Sequence, residues 1–343
     1  MDTGKDYLME PYFEQSKVRR RKRNRVTSKK SRMSYNQYLQ VKQHVLESRS
    51  DRRFYYFKDR YALMLLRHFV GEGKSVREIK ESPFAKLLGR PVLKELLARR
   101  GGACITGDDL VSIWPAVPEC FHIAIDDWGS ETNERHSWCQ TSRPGMNLVV
   151  MLNFSNTHNN MMFGGVPNQL HRYFCYEDHP HTNGQCTMAW SRVDIAEDGG
   201  EALIEEVQND WLREAEWYLY LYDEDKGPRG VSPKEHRCLV RYAHAVLERY
   251  APIWQEAMLA AALQVLKNDL GIGTIYYHTF EGGNLLKNMT DDFAPPRSIY
   301  TQLPKRFCFP PTTETPAMLA HELERLQDRK GRPRPVRFQK LEL

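Results

Sequence analysis

From Tyr35 to about Arg100, apolar residues recur at three- and four-residue spacing, which predicts helices. YNQYLQVKQHVLESR and FKDRYALMLLRHFVGEG both carry the pattern, and Gly71 stands where the second would end. In SVREIKESPFAKLLGRPVLKELLARRGG, Ser75 with Glu78 makes a capping-box signature, Pro83 breaks one helix and Pro91 can start the next. A short helix, a turn and a second basic helix fit a helix-turn-helix, and any small helical bundle gives the same pattern. After Gly102 the texture changes to strand-like runs: CFHIAI, NLVVMLNF, CTMAWSRVDI and EALIEEVQ. The last two flank Ala196-Glu197-Asp198-Gly199-Gly200, a hairpin signal of the Asp-Gly type. PIWQEAMLAAALQVLKNDLG then reads as a helix, with Pro252 in its first turn and Gly271 at its cap, and leads into the strand GTIYYHTF. Strand, helix, strand makes this half α/β or α+β rather than all-β.

One strand is polar where a core strand should be apolar. In EALIEEVQNDW, strict alternation puts Glu206, Gln208 and Asp210 on one face and Leu203, Glu205 and Val207 on the other. Three hydrogen-bonding groups converging at a half-buried strand end are costly to desolvate unless something satisfies them. A cross-strand ion pair with Arg192 on the hairpin partner is one answer. The other is a site in which a carboxylate acts as general base. For Glu205 the expectation is a structural role.

Charge changes the picture at the ends of the chain. The 343 residues carry 49 Lys plus Arg against 44 Asp plus Glu, a net +5. Ten of the sixteen residues from Lys17 to Arg32 are basic and none is acidic, and the segment from Arg325 to Lys340 carries a net +6. The remainder therefore carries −11. Such blocks repel themselves and stay solvated, so both are expected to be tails. Arg19, Arg20, Arg21, Lys22, Arg23 and Arg25 are the candidates for contacting a nucleic acid, whose phosphates release counterions on neutralisation; a purely solubilising role is the alternative. No apolar run approaches the roughly 20 residues of a membrane span. The first residues lack a signal-peptide pattern, and the seven cysteines contain no C-x-x-C pair, so a cytoplasmic protein is expected.

The stretch AWSRVDIAEDGGEALIEEVQNDW resembles the "(V/I)R…G…LFIEE(I/V)QSDW" segment of a domain recurrent in the large polyvalent proteins of bacteriophages and conjugative elements, with Asn209 in place of the usual Ser. IWQEAML…LGIGTIYYHT is similar to that domain's helix and following strand. This likeness implies a protein of a phage or mobile element acting inside a bacterium. A second likeness is to the GNAT acyltransferase fold: a strand, a cofactor-binding helix, a strand, then a helix with a tyrosine running into a final strand. EALIEEVQ, the helix from Ile253 to Leu270, GTIYYHTF and RSIYTQLPKRFCF take these places. It implies Tyr300 as the general acid for a leaving group, and Glu206 or Asp210 as the group that deprotonates an amine through water. GNAT enzymes hold the pyrophosphate of coenzyme A on a glycine-rich loop at the helix N-terminus. Here the loop reads Arg249-Tyr-Ala-Pro-Ile-Trp, and proline lacks the donor such a cradle needs.

His171, Cys175, His179, His181 and Cys186 gather potential zinc ligands, but their spacing matches no standard finger, and no metal is expected. The expectation is an α+β protein: a GNAT-like mixed sheet with packing helices over 103–311, preceded by a basic arm (1–34) and a small all-helical domain (35–102), and followed by a C-terminal helix and basic tail (312–343). Its expected catalytic residues are Glu206, Asp210, Tyr300 and His278, with Gln208, Arg192 and Trp211 binding substrate. An acyl or aminoacyl group, from acyl-CoA or aminoacyl-tRNA, would pass to an amine of a nucleic acid or protein. The competing expectation is a non-catalytic nucleic-acid-binding or host-counter-defence protein that keeps the fold.

Overall fold

The computed structural model describes residues 33–48, 51–100, 104–130, 140–156, 158, 170–182, 185–222, 226–289, 295–329 and 335–343. The helical pattern near the start folds as α1 (Tyr35–Ser48), α2 (Arg60–Val70), α3 (Val76–Lys80) and α4 (Pro91–Arg100), with a short strand β1 (Arg53–Tyr56) between α1 and α2. Gly71 ends α2 at φ 53°, a conformation that suits glycine, and Ser75 and Glu78 close a reciprocal capping box on α3. After α5 (Gly107–Val111) come β2 (Glu119–Ser130), β3 (Gly145–Phe154), α6 (Leu170–Phe174), β4 (Thr187–Ile195) and β5 (Glu201–Gln208). Then α7 (Trp211–Leu221), α8 (Pro233–Tyr250) and α9 (Trp254–Gln264) lead to β6 (Thr274–His278). The chain finishes with α10 (Phe280–Lys287), α11 (Arg297–Arg306), β7 (Pro311–Thr312), α12 (Ala320–Arg329) and β8 (Phe338–Glu342).

The eight strands make one sheet in the order β1-β2-β3-β4-β5-β6-β8-β7. Neighbours are antiparallel except β5 and β6, where Glu201–Ile204 run alongside Thr274–Tyr277. A parallel pair needs a long crossover, which α7 to α9 supply. Residues Glu256 to Leu263 of α9 are all buried, as expected for a helix that is apolar all round and packed on every side. Leu148, Val150, Val193, Ile204, Val207, Ile275 and Tyr277 pack in the same core as α9. On the opposite face, Leu203, Tyr276 and Phe338 meet Leu286 and Leu319, while Val149, Met151 and Trp190 form a separate apolar patch.

Two sequence expectations need correction. Residues 35–102 do not stand apart as a helical domain. β1 pairs with β2, Phe54 and Tyr56 are buried in the main core, and Tyr61 stacks on Phe307 of the distant C-terminal half at 4.4 Å. Nor is the basic C-terminal segment simply a tail. Phe338–Glu342 is a strand between β6 and β7, and Lys340 pairs with Glu314 and Glu342. The arm residues Arg19, Arg20, Arg21, Lys22, Arg23 and Arg25 lie outside the described residues. Among the described residues, no helix is long and apolar enough to cross a membrane.

Candidate active site at the end of the bulged strand

The polar strand departs from simple alternation. β4 pairs Arg192 with Glu206 and then Val193 with Ile204, so Glu205 is an extra residue in β5, a β-bulge. A bulge reverses the phase of everything beyond it. Leu203 and Glu205 before it, and Glu206 and Gln208 after it, therefore share one face, while Ile204 and Val207 both enter the α9 core. The expectation that Glu205 lies opposite Glu206 is overturned for this reason, and two carboxylates stand side by side.

Glu205 is fully buried. Its carboxylate accepts from the Ser142 amide (3.0 Å) and hydroxyl (2.9 Å) and from His278 Nε2 (3.1 Å), and Lys287 Nζ lies 3.9 Å away. Burial works against this charge, but the hydrogen bonds from His278 and Ser142 and the Lys287 ammonium outweigh it and hold Glu205 below the ordinary carboxylate range. Burial pushes His278 down towards its neutral form, and its buried Nδ1 has no hydrogen-bond partner among the described residues. Burial also lowers Lys287, while the charges of Glu206 and Glu205 act to keep its proton on. Glu205 is therefore ionised and His278 neutral, and Lys287, with two carboxylates against it, carries the positive charge. Ser142 Oγ also lies 3.0 Å from His278 Nε2. Serine and carboxylate thus share one ring nitrogen, whereas a nucleophile triad places them on opposite nitrogens.

The β5–β6 pairing ends at Ile204 and Tyr277, and the Glu205 carbonyl beyond it accepts from Lys287 Nζ at 2.6 Å. Here Glu206 forms an ion pair with Arg192, whose guanidinium lies 5.3 Å from the ring of Trp128 and 5.8 Å from that of Trp190. Burial disfavours the Glu206 charge, but Arg192 and then Lys287 hold its pKa below the ordinary value. Tyr300 reaches the same place from α11. Its ring is 6.0 Å from Lys287 Nζ, its hydroxyl is buried without a hydrogen-bond partner among the described residues, and burial followed by the nearby Glu206 charge pushes its pKa far up. Tyr277 O–H donates to the Ile299 carbonyl (3.0 Å), and Gln339 of β8 donates to the carbonyls of Tyr300 and His278. These bonds fix α11 against the strand ends.

Asp210, just past β5, receives four donors: His179 Nδ1 (2.9 Å), Trp190 Nε1 (2.7 Å), Arg213 (2.7 Å) and Gln208 (3.1 Å). Burial again opposes the charge, and the His179 hydrogen bond leads the groups that keep it below the usual range. Trp211 does not join this group. Its indole N–H donates to Tyr242 O–H (2.7 Å) and its rings pack with Phe154 and Phe174 in the main core. Asn209 accepts from the Leu212 amide at 2.7 Å and so caps α7.

The structure thus brings together Glu206, Arg192, His278 and Tyr300, sets Gln208 with Asp210 a turn further on, and leaves Trp211 elsewhere. Sequence reasoning missed Ser142, Lys287 and the pairing of His179 with Asp210. Nothing in the spacing marks them, because each comes from a segment remote from β5. Cys175 and Cys186 are held as thiols by burial, at about 11 and about 12, and among the described residues no three potential ligands cluster as a metal site. No protein-family model, curated protein or solved structure matches the chain.

Proposed function

We propose that the chain is a GNAT-like transferase that moves an acyl or aminoacyl group to an amine of a nucleic acid or protein, in the service of a phage or mobile element. One observation carries this reading: a bulged strand, a crossover helix and a parallel strand, with Tyr300 bringing a buried hydroxyl, unpartnered among the described residues, to the point where the two strands stop pairing. Clusters of buried ionisable groups with shifted pKa values are commoner at working sites than elsewhere. The fit to coenzyme A is poor. At the start of α9, Pro252 has no N–H and the Ile253 amide is spent on the Tyr250 carbonyl at 3.0 Å, so neither of these two residues offers a donor to a pyrophosphate. An aminoacyl ester carried by RNA needs no such cradle and gives the basic arm a polyanion to hold.

A second reading, a non-catalytic nucleic-acid-binding or counter-defence protein, is favoured by a different observation. Lys287 already satisfies the Glu205 carbonyl where the strands part, and Glu206 and Asp210 are both buried in ion pairs. Incubation with acetyl-CoA or with phenylalanyl-tRNA, each with a lysine-bearing peptide as acceptor, separates the two. The transferase reading expects acceptor-dependent loss of one donor, slowed at least tenfold in Tyr300→Phe. No turnover of either donor sinks it in favour of the second reading.

A further inference from the structure

The acidic groups at the bulge are closed off, but the network reaches solvent at one titratable ring. Asp210 is held by four donors, so its carboxylate is fixed and, being ionised, can only accept. The proton between it and His179 must therefore sit on His179 Nδ1, with Gln208 Nε2, 3.3 Å from the same nitrogen, donating to Asp210 instead; in the neutral ring the lone pair is then on Nε2. The His179 side chain is 27% exposed, against 8% for Asp210. It stands among Tyr176, Trp190 and Trp128 at ring distances of 4.6, 5.4 and 6.5 Å, which hold its plane. A carboxylate that fixes the tautomer of a partly exposed ring is the arrangement a general base requires.

We propose that His179 is the proton acceptor for a primary amine substrate, with Asp210 as its positioning residue. This inference rests on the transferase reading and names the side of the site at which the acceptor enters. The amine nitrogen attacks the carbonyl carbon of an aminoacyl ester; the C–N bond forms and the ester C–O bond breaks. The proton leaving nitrogen goes to His179 Nε2 and then to solvent, and the departing oxygen takes a proton from Tyr300 O–H, which regains one from solvent, giving an amide and an alcohol. Glu206, buried and paired with Arg192, then serves to hold the strand end and does not itself touch the amine.

The test uses the full chain with phenylalanyl-tRNA and the lysine-bearing peptide, and imidazole 1H–15N spectra assigned through His179→Gln. The expected results are an Nδ1–H tautomer for His179, a change to Nε2–H in Asp210→Asn, and a fall in kcat of about a hundredfold or more in His179→Gln at little-changed KM for the tRNA. An Nε2–H tautomer in the wild type, or His179→Gln turning over at the wild-type rate, overturns this inference alone. No turnover by the wild-type protein overturns the transferase reading and this inference with it.

Discussion

Lys287 is the residue whose removal most directly tests how the bulge is held together. Glu205 and Glu206 are balanced by Arg192 and Lys287, and Arg192 is committed to Glu206. Lys287→Met keeps most of the side-chain volume but strips Glu205 of its counter-ion and its carbonyl of a 2.6 Å donor. Two unit charges at the observed 3.9 Å attract by about 4 kcal/mol at an effective dielectric of about 20. Breaking a buried pair on one side costs about 3–5 kcal/mol, since the partner is left buried and uncompensated. We expect a loss of that size at pH 7, read from urea midpoints. Glu205→Gln/Lys287→Met removes both charges and should cost at least about 2 kcal/mol less than the sum of the single changes. The pH dependence has a definite sign. In the wild type the Glu205 carboxyl lies below its ordinary value, so its contribution is complete above about pH 4.3 and is lost as pH falls through the folded value. In Lys287→Met, loss of the ammonium raises the folded value, because burial is then opposed by fewer favourable partners. The folded variant therefore takes up its proton at a higher pH than the folded wild type does. The deficit should narrow as pH falls through the variant's folded value. A deficit below about 1 kcal/mol, additive single changes, or a deficit that does not narrow would each refute the charge assignment.

Glu256, 1% exposed on α9, ties the first hundred residues to α11 through Lys58 (3.1 Å), Arg306 (3.0 Å) and Tyr56 O–H (3.4 Å). Glu256→Ala should cost about 2 kcal/mol, less than Lys287→Met because Lys58 and Arg306 are partly exposed and can turn to water; a urea midpoint that does not move would show that the three bonds are not formed in solution. Deleting residues 17–32 should weaken retention of single-stranded RNA and flatten its dependence on log salt by about 0.7 for each lost phosphate contact, measured by filter binding across a salt series. Retention that is unchanged after the deletion would remove the arm from any part in nucleic-acid binding.

How far the fold could be read from the chain depended on how local its causes are. The hairpin at Asp198-Gly199 was legible because Gly199 takes φ 69° in a tight turn, and β2 to β6 were legible because each is a run of apolar residues with turn residues at its ends. β8 was hidden for a physical reason. Its outer neighbour β7 has only two residues, so FQKLE behaves as a near-edge strand and carries the polar side chains of one, which sequence reads as tail. The bulge was hidden more deeply. Alternation assumes one residue per pleat, and a single inserted residue changes no composition while bringing Glu206 and Gln208 onto the face of Glu205. The run Glu-Glu-Val-Gln-Asn-Asp-Trp looked like a row of functional groups, yet Asn209 caps a helix, Trp211 fills the core and Glu205 anchors Ser142 and His278. Much of its specificity is therefore the requirement of a strand that must end, bulge and turn into a helix within seven residues. Asp210 connects outward through His179, which lies thirty-one positions earlier in the chain. A partner that comes from another segment and makes its contact through one hydrogen bond leaves no periodicity to detect, so the proposed proton acceptor becomes visible only once the chain is folded.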